Sequence, residues 1–222
     1  MRSDSQRGPL DGVPLSWKDL FDSAGVITFT GWPLLAERVP ERDAEVPARA
    51  TRAGTVCLGK TNLVEFALGA LGINPSFGTP ENPFDKATPR CPGGSTAGGA
   101  VSGARGLAPA AIGSDLGGSV RVPASWNGLV GLKTTVGLAP VDGALPLAPS
   151  LDSVGPLTRD VADLEGATLT GSRFLVATTI VEDNVAGGVV TVFESAPVRT
   201  RTRGREPGSG GRCRNSPRSR RS

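Results

Sequence analysis

The chain has 222 residues, a formal net charge of +3, and neither histidine nor tyrosine. Without histidine, no imidazole can act as a general base and no His-containing zinc site can form. Without tyrosine, no phenol serves acid–base work. The charge is uneven: residues 197–222 hold nine arginines and one glutamate, whereas the first 196 residues hold 15 basic and 20 acidic side chains. The basic pI of about 9.0 thus belongs to the tail, and nucleic acid is not an expected partner of the folded part.

Length and the 31 glycines and 19 prolines predict one loop-rich domain over 1–196 and a disordered Arg/Gly/Ser/Pro-rich tail over 197–222. Cys57, Cys91 and Cys213 show no metal-ligand spacing and suit a reducing cytoplasm. No apolar run approaches the ~18 residues of a membrane span, and the first residues carry no apolar leader.

In chain order, Gly8–Val13 reads as a turn into a strand at Val13–Trp17, with Lys18 at its end. Asp43–Ala53 reads as a helix, with Asp43 as cap, Pro47 in the first turn and Gly54 as terminator. Thr55–Leu58 reads as a short buried strand and Leu63–Leu71 as a second helix with an apolar face. Asn74–Pro92 is loop. Thr96–Arg105 is a small-residue helix, Ala108–Ile112 a strand, Ser119–Trp126 a helix and Leu129–Leu132 a strand. Gly137–Pro156 is irregular, Phe174–Val181 an apolar strand, and Asn184–Phe193 either strand or helix. Alternating strands and helices predict an α/β layer fold with a largely buried sheet.

Gly54–Thr61 fits the phosphate-loop pattern of two glycines followed by Lys60 and Thr61. The residues between the glycines, Thr-Val-Cys-Leu, are strand material, and a helix precedes Gly54 where a strand is required. Asp183, after the Phe174–Val181 run, can pose as a magnesium ligand for such a site, but one acidic residue after one strand is a very weak signal. A helix cap followed by a strand is the simpler account of the segment, with a nucleotide-binding protein using Gly54–Thr61 as the alternative of another class.

More informative is a lysine followed by two serines in glycine-rich turns. Ser95 closes Pro92-Gly93-Gly94-Ser95, and Ser119 closes Gly113-Ser114-Asp115-Leu116-Gly117-Gly118-Ser119, 24 residues later. Glycines without Cβ allow a carbonyl close to the backbone, and free N–H groups at a helix start can hold a developing oxyanion. Ser119 is thereby placed as a nucleophile and Ser95 as a proton relay. Lys18, between Trp17 and Leu20, is set where desolvation favours a neutral amine. Each feature alone is commonplace, since most Gly-Gly-Ser turns are just turns and most lysines are solvated. Their order and surroundings set them apart.

Those surroundings carry a resemblance. Gly8–Asp19, Leu58-Gly59-Lys60-Thr61-Asn62 with Glu65-Phe66, Gly78–Pro83, Pro92–Ser95, Gly113–Ala124, Gly128–Lys133 and Leu151–Pro156 together resemble the amidase signature family over about 8–195. The resemblance implies an α/β layered fold with a mixed, mostly buried sheet covered by helices, incomplete in this chain. It implies hydrolysis of an amide C–N bond in a small substrate without cofactor or metal. Ser119 would be the nucleophile, Ser95, after a cis peptide, the bridge, and Lys18 the base. The N–H groups of Leu116, Gly117, Gly118 and Ser119 would form the oxyanion hole, with Thr96, Asp115 and Arg121 in support. A glutaminase-type component of a tRNA-dependent amidotransferase, working with partner subunits, is the alternative within the family. Thr96-Ala97, Ser114 and Thr134 depart from its usual residues, but none removes a triad group. Family members run to about twice this length. The chain therefore reads as a truncated or frameshifted product, prone to self-association and of low turnover, with a tail like out-of-frame translation of GC-rich DNA.

Overall fold

A computed structural model describes residues 8, 10–161 and 163, which belong to the unit Met1–Thr168. The expected elements at Phe174–Val181 and Asn184–Phe193, Asp183, and the tail from 197 lie outside the described residues. Five strands form one sheet: β1 (Pro14–Lys18), β2 (Val56–Thr61), β3 (Ala110–Asp115), β4 (Val130–Gly131) and β5 (Ser153–Thr158). The order is β2-β1-β3-β5-β4, with β2, β1 and β3 parallel and β5 antiparallel to both β3 and β4. Helices α1 (Glu45–Arg52), α2 (Ala97–Ala104) and α3 (Arg121–Trp126) complete a mixed α/β architecture.

The sheet separates two apolar clusters. Leu15, Trp17, Leu20, Phe21, Ala44, Leu63, Ala67 and Val154 form one; Ala100, Ala111, Val120, Ala124 and Leu157 form the other. The two-residue period of β3 explains the division: Ala110 and Ile112 pack on the first cluster, Ala111 within the second. Small residues let α2 lie close to the sheet. A Cβ on Gly99 would stand 3.0 Å from that of Ala111.

Parallel pairing sets up the site. Leu15, Ser16 and Trp17 pair with Ala110, Ala111 and Ile112, so β1 and β3 end side by side, in Lys18 and in Ser114-Asp115. The carboxyl ends of parallel strands are where α/β sheets place ligands.

Several local expectations are corrected. Leu63–Leu71 is not a helix but a single 3₁₀ turn, Glu65–Ala67, with Phe66 and Ala67 at φ 49° and 60°. Its backbone bonds go elsewhere, from Val64 N to Ser95 O and from Phe66 N to Thr30 O, and Leu68 and Leu71 are exposed. Asp43 does not cap α1. Ala44 is the N-cap, and Asp43 Oδ1 accepts the N–H of Ala24 instead. The strand expected at Thr55–Leu58 runs over Val56–Thr61 and is not buried, Val56 and Leu58 being 50% and 54% exposed at the sheet edge. Ser153–Pro156, expected to be irregular, begins β5.

Gly113 is required by contact rather than by backbone angle. A Cβ there would meet Thr96 Cγ2 and Oγ1, both at 2.7 Å, and Val120 Cγ2 at 3.1 Å. Gly113→Ala is expected to cost about 1–3 kcal/mol through overpacking, read as a lower urea midpoint. An unchanged midpoint would show that β3 and the Thr96 turn are not in contact.

Candidate active site

Lys18 is wholly buried at the end of β1. Its Nζ donates to Ser95 Oγ at 2.7 Å and to Ser114 Oγ at 2.8 Å. Burial lowers the lysine pKa from 10.5 to about 7, with the negative charges of Asp115 and Asp152 opposing that shift. A substantial fraction of this amine is therefore unprotonated near neutrality.

Ser95 is also fully buried, and the Gly94–Ser95 peptide is cis. The turn before it is seated on residues 69–72: Gly94 N donates to Ala70 O at 2.7 Å and Gly93 N to Leu71 O at 3.1 Å. A Cβ on Gly94 would stand 2.7 Å from Gly72 N, so no side chain fits there. Asn127 ties the same turn to α3, its Nδ2 donating to Pro92 O and Pro123 O.

Ser119 is partly exposed, in the turn between β3 and α3. Its carbonyl accepts the N–H of Thr96 at 3.2 Å, which joins the two serine turns. Lys18 and Ser95 are thus in direct contact, whereas among the described residues no hydrogen bond joins Ser95 Oγ to Ser119 Oγ. Thr96 is buried, and its Oγ1 has no partner among the described residues.

Asp115 organises the Ser119 turn. Its oxygens accept from Gly118 N at 2.9 Å, Val120 N at 3.0 Å and Arg121 N at 3.2 Å. Arg121 adds a two-pronged contact through Nε and Nη2 at 3.1 and 3.0 Å. Burial alone would push the Asp115 carboxyl up, but Arg121 and the three N–H groups outweigh it and hold it below the ordinary carboxylate range. Of the four N–H groups expected to hold an oxyanion, that of Gly118 is therefore already engaged. Those of Leu116, Gly117 and Ser119 make no hydrogen bond among the described residues.

Ser114 and Ser119 share a small cavity of about 50 Å³ with Leu20, Leu116, Leu145 and Asp152 among its lining. A larger groove of about 690 Å³ lies beside β2 and includes neither Ser95 nor Ser119. In that groove Lys60 pairs with Asp19 at 2.6 Å and donates to Thr28 Oγ1 at 2.6 Å. The phosphate-loop reading fails here. Lys60 is inside a strand with a structural partner, and no loop followed by a helix frames it.

A family model described as Amidase matches residues 1–170. The chain belongs to the amidase family. It is 49% identical over 157 residues to the 2-amino-5-chloromuconic acid deaminase of Comamonas testosteroni, covering 71% of this chain and 34% of that protein. It is 45% identical over 161 residues to the A component of the glutamyl-tRNA(Gln) amidotransferase of Burkholderia pseudomallei, covering 72% and 32%. Among solved structures, the peptide amidase from Stenotrophomonas maltophilia superposes with a TM-score of 0.68 at 39% identity, over 82% of this chain and 37% of that one. This amidase-family chain thus spans about a third of the length of the curated relatives it matches.

Sequence reasoning left three residues around Lys18, Ser95 and Ser119 without a role: Ser114, Asn127 and Asp152. For Ser114, its place directly before Asp115 in the motif was a usable signal. For Asn127 and Asp152, partners 35 residues away and a cavity wall were not visible in the chain.

The depressed amine fixes a pH dependence. Between about pH 7 and 10.5 the unfolded chain binds a proton at Lys18 that the folded chain does not, so folded-state stability rises with pH across that window. Relative to Lys18→Met, the wild type is expected to gain up to about 1.4 kcal/mol per pH unit there in urea unfolding. Parallel curves for the two proteins would show that Lys18 stays charged when buried.

Proposed function

We propose that this chain carries the catalytic core of an amide C–N hydrolase that works through an acyl-enzyme on Ser119. The observation that supports it is the buried Lys18 amine held 2.7 Å from the buried Ser95 hydroxyl. With the amine neutral, that contact reverses: the Ser95 hydroxyl donates to the lone pair of Nζ, while Nζ keeps its donation to Ser114. Ser95 then accepts the proton of Ser119 as Ser119 Oγ attacks the amide carbon. The two hydroxyls close up only around substrate, as catalytic contacts commonly do.

The free N–H groups of Leu116, Gly117 and Ser119 stabilise the tetrahedral oxygen, while Gly118 stays with Asp115. Relayed back through Ser95, the Lys18 proton reaches the leaving nitrogen, and ammonia or an amine departs. Water, deprotonated along the same path, hydrolyses the ester to a carboxylic acid and restores Ser119. Asp115 and Arg121 hold the turn, and Thr96 joins it to the Ser95 turn.

The substrate in this reading is a small amide. The amidotransferase relatives favour a second reading, in which the same groups release ammonia from an amide for use by a partner protein. We place the amidase part at 1–196 and a separate basic tail at 197–222, in a reducing cytoplasm compatible with the free Cys57 and Cys91.

A fluorophosphonate probe tests the nucleophile without full turnover. Ser119 is expected to be the labelled residue, and Ser119→Ala to abolish labelling. Lys18→Ala is expected to slow it by roughly 10²-fold or more, as loss of a general base does. The wild-type rate should rise with pH around a midpoint near 7, following the amine. Labelling that survives in Ser119→Ala, or a rate unaffected by Lys18→Ala, would contradict the mechanism.

A further inference from the structure

Asp152 has no part in the relay, yet it lines the Ser119 cavity together with Ser114. Its Oδ2 accepts the N–H of Leu147 and of Ala148, each at 3.0 Å. Leu145, Pro146, Leu147 and Pro149 form a wall of that cavity. The wall is fixed at its start by the segment that follows Lys18: Leu145 N donates to Leu20 O at 3.0 Å, Asp22 N donates to Gly143 O at 2.9 Å, and Phe21 and Ala144 form a bridge. At its far end the wall is held by Asp152, whose own position is set by the neighbouring sheet. Ser153 pairs with Asp115 across β3 and β5, and its Oγ donates to Asp115 O at 2.7 Å.

We infer that Asp152 is a positioning residue for the proposed reaction: its carboxylate clamps the Leu145–Pro149 wall over the Ser119 cavity and sets a fixed negative charge near Lys18. The inference rests on the hydrolase reading above. It goes beyond it by giving one carboxylate two separable duties, a hydrogen-bond clamp and a charge.

The charge belongs to a small set. Lys18 donates to the hydroxyls of Ser95 and Ser114 and lies within the electrostatic reach of the carboxylates of Asp115 and Asp152. Asp115 is partnered by Arg121, and Asp19, next in the chain, by Lys60. Asp152 is therefore the nearby acid whose charge no guanidinium or ammonium partner offsets among the described residues. A negative charge favours the ammonium, so Asp152 works against burial and keeps the amine basic enough to take a proton.

Two substitutions separate the duties. Asp152→Asn keeps one oxygen able to accept both N–H groups and removes the charge; Asp152→Ala removes both. The readouts are the pH titration of the Lys18 Cε signal in ¹³C-lysine-labelled protein and amide hydrogen exchange at Leu147 and Ala148. In Asp152→Asn the Lys18 midpoint should fall by about 0.3 unit or more, as expected for a charge acting beyond direct contact, with exchange unchanged. In Asp152→Ala both should change, the two amides losing protection at least about tenfold relative to wild type, the size of a lost hydrogen bond. An unmoved midpoint in Asp152→Asn, or unchanged exchange in Asp152→Ala, overturns the inference while leaving the hydrolase reading intact. A wild-type midpoint at the ordinary lysine value overturns the hydrolase reading itself. Fast exchange of the two amides in the wild-type protein overturns the clamp without any variant.

Discussion

The arrangement depends on the complete burial of one amine. Lys18 sits where no water reaches it, and its charged form is disfavoured for that reason alone. The negative charges of Asp115 and Asp152 moderate the effect without cancelling it, which leaves the group poised near neutral pH. A lysine so placed can do the work for which many hydrolases recruit histidine, and this chain contains none.

The fold serves that burial through close approach of backbones. Parallel β1 and β3 finish together, so Lys18, Ser114 and Asp115 converge without any long loop. Glycine and alanine then bring the two serine turns down onto the strand ends. At Gly94 and Gly113 a single extra methyl group would strike backbone or side chain. Asp115 uses both oxygens to hold the start of α3, and the same carboxylate determines which N–H groups of the Ser119 turn stay free. Structure and reactivity are thus coupled at one residue.

Much of the candidate site was legible because each of its residues sits in a short, recognisable motif, although the motifs themselves lie far apart in the chain. The Gly-Gly-Ser turns, the Lys18-Asp19 strand end and the Asp115–Arg121 pairing lie within short motifs whose chemistry is local. The α/β layering followed from alternating elements, whereas the mixed sheet was implied only by the family resemblance. What escaped the sequence depends on partners distant along the chain. The apolar spacing of Leu63–Leu71 mimics a helix, but Thr30 and Ser95 claim its backbone groups. β2 looks like core by composition and is an edge, because burial there depends on what lies beside the strand. The wall held by Asp152 exists only once β5 folds back along β3, and β5 itself, with its Gly155-Pro156 interior, carries a weak strand signal.

The central claim is a continuous path from Lys18 Nζ through Ser95 Oγ to Ser119 Oγ. A crystal structure of the chain after reaction with a fluorophosphonate tests it most directly. The account predicts phosphorus bonded to Ser119 Oγ, with Ser95 Oγ within hydrogen-bond distance of both that oxygen and Lys18 Nζ. An adduct on another residue, or a Ser95 hydroxyl that stays out of reach of Ser119 in the adduct, would contradict it.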